Sequence, residues 1–424
     1  MQGRPAVDLP GFVPYLSVIS HFRFRLNTAV VFLLWPVFAL AQSGFTSTPA
    51  FDPAQARIHL GPLALDPRLA IRNIGVDTNV FNDVDAPVRD FTATFGPALD
   101  SAVRVGRLSW LGTSSLSWNY YRDSVNQRSF DAGQSGRLEL ALGHLVPYAV
   151  GSLERTRQRP NVEIDARVRR RTSLVGAGVD VLLGAKTTVG LEYAEREFEF
   201  GDAGIEGTEL ARTLDRREAT ARVLGRYALT PLTTLVVEAA AREDRFRLSP
   251  DRNTDSQLLR PGFEFKPLAL IAGRAAVGVR RFKPRSGNLP GYTGVVSDVE
   301  LSYLMRDLTR FTAGVARDVD YSFEEQQPYY VSTGTTFSVV QALGSSWDVV
   351  GRFEHTTLDY QSLTGATDGV DRRDRVTVYG GGAGRRFGTV IRIGIDVDQA
   401  RRTSSVDART YEGLRVGGSF TYGF

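Results

Sequence analysis

"TVIRIGIDVDQ", Thr389 to Gln399, alternates without a slip: Ile391, Ile393, Ile395 and Val397 fall on one side, and Arg392, Gly394, Asp396 and Asp398 on the other. A period of two with one apolar and one charged face marks a strand wetted on one side only. The pattern recurs upstream. Phe91, Ala93, Phe95, Leu99, Val103 and Val105 oppose Thr92, Thr94, Gly96, Asp100 and Arg104. Leu138, Leu140 and Leu142 oppose Arg137 and Glu139, and Leu235, Val237, Ala239 and Ala241 oppose Glu238 and Arg242.

Punctuation between these segments also alternates. Tight turns are expected near Gly106, Val146, Ala185, Pro231, Pro267, Asp307, Gly344 and Gly388. Between them lie longer polar connections, among them "DSVNQRSFDAGQ", "RQRPNVEIDARVRRR", "GDAGIEGTELARTLD", "RLSPDRNTDS", "KPRSGNLPGY", "EEQQPYY" and "SLTGATDGVDRR". Two strands per interval, plus one at each end, predict an all-β, transmembrane, antiparallel up-and-down barrel of about 18 strands, with short periplasmic turns and longer external loops. A soluble sandwich or propeller would show the same alternation, and propeller blades also repeat at about 40 residues.

The two ends of the chain favour the barrel. Residues 22–41, "FRFRLNTAVVFLLWPVFALA", have basic Arg23 and Arg25, an apolar run and a small-x-small close, which predicts a signal peptide over 1–41. Its apolar run of about 13 residues is short of the roughly 20 a membrane helix needs. Residues 1–21 read as an over-extended start, 42–66 as a periplasmic N-terminal segment and 67–424 as the barrel. The last segment, "RVGGSFTYGF", resembles the insertion signal of outer-membrane barrels through Arg415, Gly417, Phe420 and Tyr422, with Phe424 as the terminal aromatic. Leu414, Val416, Gly418, Phe420, Tyr422 and Phe424 are expected to face lipid, and Arg415, Gly417, Ser419 and Thr421 the lumen.

Composition excludes several functions. The chain has no cysteine, so disulfides, thiol nucleophiles and thiolate metal sites are out. The formal charge of +4 falls to about +2 once Arg4, Arg23, Arg25 and Asp8 leave with the leader, so no nucleic-acid partner is expected. The histidines, His21, His59, His144 and His355, lack metal-ligand spacing. No nucleophile elbow is present, and no catalytic residue, cofactor or metal site is assigned. Asp77, Asn79, Asp83 and Asp85 lack the glycine and glutamate of a calcium loop. "YGGGAGRRFG" lies on a strand, where its glycines relieve crowding rather than cradle phosphate. "ARVRRR", Ala166 to Arg171, belongs at the base of an external loop, within reach of lipopolysaccharide phosphates.

By parity the lumen wall includes Arg104, Arg137, Arg222, Arg226, Glu238, Arg242, Arg274, Arg280, Glu300, Arg352, Glu354, Arg392 and Asp396, along with Glu139, Glu192, Asp298, Asp348, Arg375 and Arg415. A barrel of this size is too wide for side chains to fill, so a water-filled channel is expected unless loops fold in. Trp110, Trp118, Tyr120, Tyr193, Tyr227, Tyr303, Trp347, Tyr360, Tyr379 and Tyr422 are candidates for an aromatic girdle.

The segment Leu60 to Asp83 resembles the opening of the putative β-barrel porin 2 family. The motif is carried by Gly75, Val76, Asp77, Thr78, Asn79, Val80 and Phe81, with Gly75, Asp77, Asn79 and Phe81 as its main positions and Val76 where an aromatic is common. The resemblance implies an outer-membrane location in a Gram-negative-type bacterium, a role linked to exopolysaccharide export, and no established catalytic or binding residues. The expected function is a porin-like channel for polar solutes. The alternatives are a non-conducting scaffold barrel of a polysaccharide secretion system and an outer-membrane enzyme. Expected partners are outer-membrane lipid, lipopolysaccharide, the assembly machinery engaged through the last strand, and polysaccharide.

Overall fold

A computed structural model describes residues 51–423 apart from 202–203, 206, 267–268 and 365–371. The expected signal peptide, the turn at Pro267 and the terminal Phe424 lie outside the described residues. One sheet of nineteen strands dominates; setting aside the three-residue strand Ile58–Leu60, eighteen of them form the wall. They are β1 (Leu63–Asp77), β2 (Asp90–Val105), β3 (Leu108–Tyr121), β4 (Ser129–Leu140), β5 (Leu145–Gln158) and β6 (Val168–Leu182), then β7 (Thr187–Phe200), β8 (Arg216–Ala228), β9 (Thr233–Phe246), β10 (Thr254–Phe265), β11 (Ile271–Pro284) and β12 (Tyr292–Met305). β13 (Thr309–Tyr321), β14 (Tyr329–Leu343), β15 (Trp347–Gln361), β16 (Arg373–Phe387), β17 (Ile391–Thr403) and β18 (Tyr411–Tyr422) complete the circuit. Each strand pairs antiparallel with its sequence neighbours, and β18 closes on β1 from Leu69↔Tyr422 to Asp77↔Arg415. Closure leaves no unpaired edge. The barrel opens at Leu63 rather than at residue 67.

The outward face carries Val175, Val277, Val295, Leu259 and Ile395, each at least half exposed, in a continuous apolar surface that only lipid would cover. No helix among the described residues is long and apolar enough to cross a membrane. Trp110, Trp118, Tyr193, Tyr227, Trp347, Tyr379 and Tyr422 point outward as expected. Tyr360 does not: it is 5% exposed and packs inside with Tyr330 and Leu358. Arg375 is also outward, because it shares the face of exposed Tyr379 on β16; this corrects its placement in the lumen.

Short turns join the strands at one end. Gly106 and Gly388 take φ of +57° and +64° there, a conformation in which a side chain would be strained. The turn expected at Val146 falls earlier, at residues 141–144, because β5 already starts at Leu145. Several long connections are shorter than read: Ser129–Gln134 belongs to β4, and Val168–Arg171 opens β6. At the short-turn end the segment ahead of β1 tucks against the wall, with Ala56 packed on Ala64 and Ala102 and Arg57 paired to Asp66 at 3.1 Å.

At the seam, β1 bulges at Asn73, where φ is +54°, and the register shifts between Ile71 and Ile74. The family motif sits on this closure. A Cβ at Gly75 would lie 2.0 Å from the Val416 carbonyl oxygen, so only glycine fits against Gly417 of β18. Asp77 pairs with Arg415 at 2.9 Å and accepts from the Asn79 backbone N–H, while Asn79 Nδ2 donates to the Glu412 carbonyl at 2.9 Å. Phe81 is exposed. Asp83 accepts from the backbone N–H groups of Asp85 and Ala86, so the acidic cluster is occupied in turning the chain.

Candidate functional site: a lumen stoppered at one end

The inner wall carries a belt of ion pairs. Glu192 of β7 meets Arg222 of β8 at 3.0 Å, Arg222 meets Glu238 of β9 at 3.0 Å, and Glu238 meets Arg260 of β10 at 2.8 Å. Arg274 of β11 reaches Asp298 of β12 at 3.0 Å, and Arg280 reaches Asp318 of β13 at 2.7 Å. Arg242 pairs with Asp244, and Arg137 pairs with Glu139 while stacking on Tyr148. Of the lumen candidates, Arg226, Glu300 and Glu354 share the inner face but form no ion pair among the described residues. Arg104 ends exposed at the short-turn rim.

One stretch of the belt crosses β16. Arg352 of β15 reaches Asp396 and Asp398 of β17 at 3.0 and 2.9 Å, and Arg392 of β17 reaches back to Asp348 of β15 at 2.7 Å. These pairs skip a strand, and the strand they skip presents Gly380, Gly382 and Gly384 to the lumen. A Cβ there would stand 2.0 Å from Asp398 Oδ1, 2.3 Å from Asp396 Oδ1 and 2.4 Å from the Arg392 guanidinium. The glycine run in "YGGGAGRRFG" is therefore a lane in which the ion pairs lie flat.

At the long-connection end the lumen is filled. The connection between β5 and β6, residues 159–167, turns inward on Asn161, whose Oδ1 accepts from the backbone N–H groups of Glu163 and Ile164 at 3.1 and 2.9 Å. Its Nδ2 donates to the Tyr330 hydroxyl of β14 at 3.2 Å. Glu163 is fully buried and accepts from Ser322 Oγ at 2.5 Å and from the Phe323 N–H at 3.4 Å. β6 and β14 lie on opposite sides of the ring, so the connection crosses the mouth. The β13–β14 hairpin comes to meet it: pairing of β13 with β12 stops at Arg317, while pairing with β14 continues to Tyr321↔Tyr329. Ile164, Leu210, Leu214, Phe246, Phe282 and Phe323 form one buried cluster with Tyr321 and Tyr329. Burying each such side chain stabilises by about 1.5–3 kcal/mol, so the stopper is a bound state of the loops and not a passing fluctuation.

Arginines stitch the stopper together. Arg402, fully buried, pairs with Asp374 and Asp165 at 2.6 Å each and donates to the Val162 and Glu163 carbonyls. Arg252 donates to the carbonyls of Thr213, Ser322 and Glu324. Arg409 pairs with Glu324 at 3.1 Å, as Arg372 does at 3.0 Å. Burial pushes the Glu163 carboxyl up to about 7, against the pull of Ser322, Arg409 and Arg402. Burial likewise raises Asp165, opposed by Arg402. Parity reading does not reach Glu163, Asp165, Arg252, Glu324, Arg372 or Arg409, because a connection has no period; Asp318, Asp374, Asp398 and Arg402 do stand at inner-face positions and were within its reach.

No curated protein matches. Among solved structures, the chain is 12% identical to the FrpB iron transporter from Neisseria meningitidis over 80% of its own length, with a TM-score of 0.41, and spans 62% of that protein's length. It is 10% identical to a BenF-like porin from Pseudomonas fluorescens Pf-5, covering 84% of this chain and 98% of that one, with a TM-score of 0.45. It is 12% identical to OccK2 (OpdF) from Pseudomonas aeruginosa, covering 84% and 97%, with a TM-score of 0.47. The family model described as Putative beta-barrel porin 2 matches residues 49–422. With the motif at the seam and the closed wall of eighteen strands, the chain belongs to the Putative beta-barrel porin 2 family and is a porin-like barrel of the outer-membrane type.

Proposed function

We propose that the protein is a gated channel for uncharged polar solutes, closed at its external mouth by the β5–β6 connection and opened when that connection withdraws. The observation that carries this reading is the connection itself, tied across the mouth at Glu163 by Ser322, Arg402 and Arg409. Below it, most wall charges are paired with one another, which leaves a polar surface with little net field. Such a wall suits hydroxyl-rich solutes better than ions, which fits the saccharide link that the family resemblance implies. Catalysis has no part in this reading.

The stopper also favours a second reading, a non-conducting scaffold barrel of a polysaccharide secretion assembly. Planar-bilayer recording separates the two. Wild-type protein should be mostly closed, and a variant with residues 160–166 replaced by a short Gly-Ser link should conduct steadily. If the shortened variant is folded and still passes no current, the channel reading fails and the scaffold stands.

A further inference from the structure

Outside the barrel, at the long-connection ends of β4 to β7, a groove of about 520 Å³ is walled by arginine. Arg155 and Arg157 of β5 stand directly opposite Arg171 and Arg169 of β6, and all four share the outward face. Directly opposed like charges destabilise a strand pair. The nearby carboxylates answer little of this charge: Glu199 reaches Arg171 at 3.4 Å, and Glu154 reaches inward-facing Arg170 at 3.4 Å. Arg155, Arg157 and Arg169 have no acidic partner among the described residues. Four cations held face to face by rigid strands indicate an anion that belongs between them.

Height on the barrel says which anion. On the same outward face, Leu153 lies two residues below Arg155 and Val175, 73% exposed, four residues below Arg171, while Phe130, 65% exposed, lines the groove itself beside the arginines. Two residues along a strand is about 7 Å, so on β5 the arginines begin directly above apolar Leu153, while on β6 Ser173 stands between Arg171 and Val175. β5 and β6 have 14 and 15 residues, more than the roughly 9–11 that cross a bilayer, and their ends rise into the headgroup layer. We infer that this groove seats the phosphate groups of a phosphorylated lipid of the outer leaflet, with its acyl chains lying down the wall over Leu153 and Val175. Guanidinium forks match phosphate oxygens two at a time, which gives the site specificity as well as charge. The inference rests on the outer-membrane reading.

The test uses the full barrel in phosphatidylcholine nanodiscs, with diphosphorylated lipid A, its dephosphorylated form and inorganic phosphate as probes. Wild type should bind lipid A at least tenfold more tightly than the dephosphorylated form, and millimolar inorganic phosphate should not displace it. The double variant Arg155→Gln/Arg169→Gln should lose at least tenfold in affinity while its bilayer current and heat-modifiable gel shift stay unchanged, since the groove is outside the lumen. Equal binding by variant and wild type overturns the site, and ready displacement by inorganic phosphate makes it a free-anion site instead. A barrel that does not enter the nanodisc at all overturns the membrane reading and this inference with it.

Discussion

At the waist of the barrel Arg352 reaches carboxylates on the strand two places away, and nearer the short-turn end Arg392 does the same, whereas at the long-connection end Arg252, Arg402 and Arg409 direct donors to backbone carbonyls of the connections. The sheet already satisfies the backbone at the waist, so the side chains there have only one another to answer. Connections folded into a mouth carry carbonyls that no ladder satisfies, and each buried one needs a donor. Arginine, with five N–H groups in a fixed fork, can serve several carbonyls and a carboxylate at once. The waist is therefore a fixed wall, and the stopper is a separately assembled lid whose stability need not follow that of the barrel.

Removing a stitch should break this contrast most sharply. Arg402→Ala removes a buried cation that stands 2.6 Å from both Asp374 and Asp165, leaving Asp374 to Arg372 and the Glu163 carbonyl to Arg409 alone, and takes the donor from the Val162 carbonyl. Breaking a buried pair on one side costs about 3–5 kcal/mol, more than burial of any one stopper side chain returns. The variant should form a normal barrel by gel shift, conduct in bilayers, and be cut by protease between residues 160 and 166. A folded variant that stays closed and uncut would show that the lid is not held independently of the wall.

Acidity should act on the lid. The Glu163 carboxyl stands at about 7 when folded against an ordinary 4.5, with Arg402, Arg409 and Glu324 facing it. A raised acid favours its protonated form in the closed state. That stability is fully present below about pH 4.5 and is lost as pH rises through 7, by on the order of 3 kcal/mol over the interval. Open probability should therefore climb between pH 5 and pH 8, and Glu163→Gln should flatten most of the climb, leaving the part carried by Asp165. A wild-type current that is flat across this range sinks the proposed coupling.

The wall was legible from the chain because every residue from Ile391 to Val397 reports its own face, and Arg392, Asp396 and Arg352 could be placed inside by counting in twos. Which charge meets which was not legible, since Arg352 reaches across β16 only because Gly380 and Gly382 clear the way. Tyr360 was misplaced for a related reason: near the strand end an aromatic serves equally for a girdle or for packing against an inward-folded loop. The stopper was not legible at all. Glu163 lies in an aperiodic connection, and its partners Ser322, Arg402 and Arg409 are more than 150 residues away.

Within the wall, the lane predicts a difference between two glycines. A side chain at Gly382 would run into Asp396 and the Ile395 carbonyl, whereas nothing lies within 4 Å of a Cβ at outward-facing Gly351. Gly382→Leu should lower folding stability by about 1–3 kcal/mol through overpacking, and Gly351→Leu by much less. Urea titration of refolding in detergent checks both, and equal losses would mean that the lane does not matter.

The smallest effect concerns selectivity. Arg352→Ala removes the one cation that β15 directs at Asp396 and Asp398, and Ser419 Oγ remains the neutral donor to Asp396 at 3.1 Å. Two carboxylates would then face the lumen with less compensation. Because water and salt screen a wetted wall, the energetic change should stay below about 1 kcal/mol, a few-fold shift in the permeability ratio toward cations. The measurement is the reversal potential across a salt gradient, made in the variant with residues 160–166 replaced so that the lid does not limit the current. The shift should shrink as ionic strength rises, since it is a field effect of the wall. A reversal potential that moves toward anions, or does not move at low salt, would mean that the lane pairs do not face the conducting path, and the division between a charged, open waist and a packed lid would have to be drawn elsewhere.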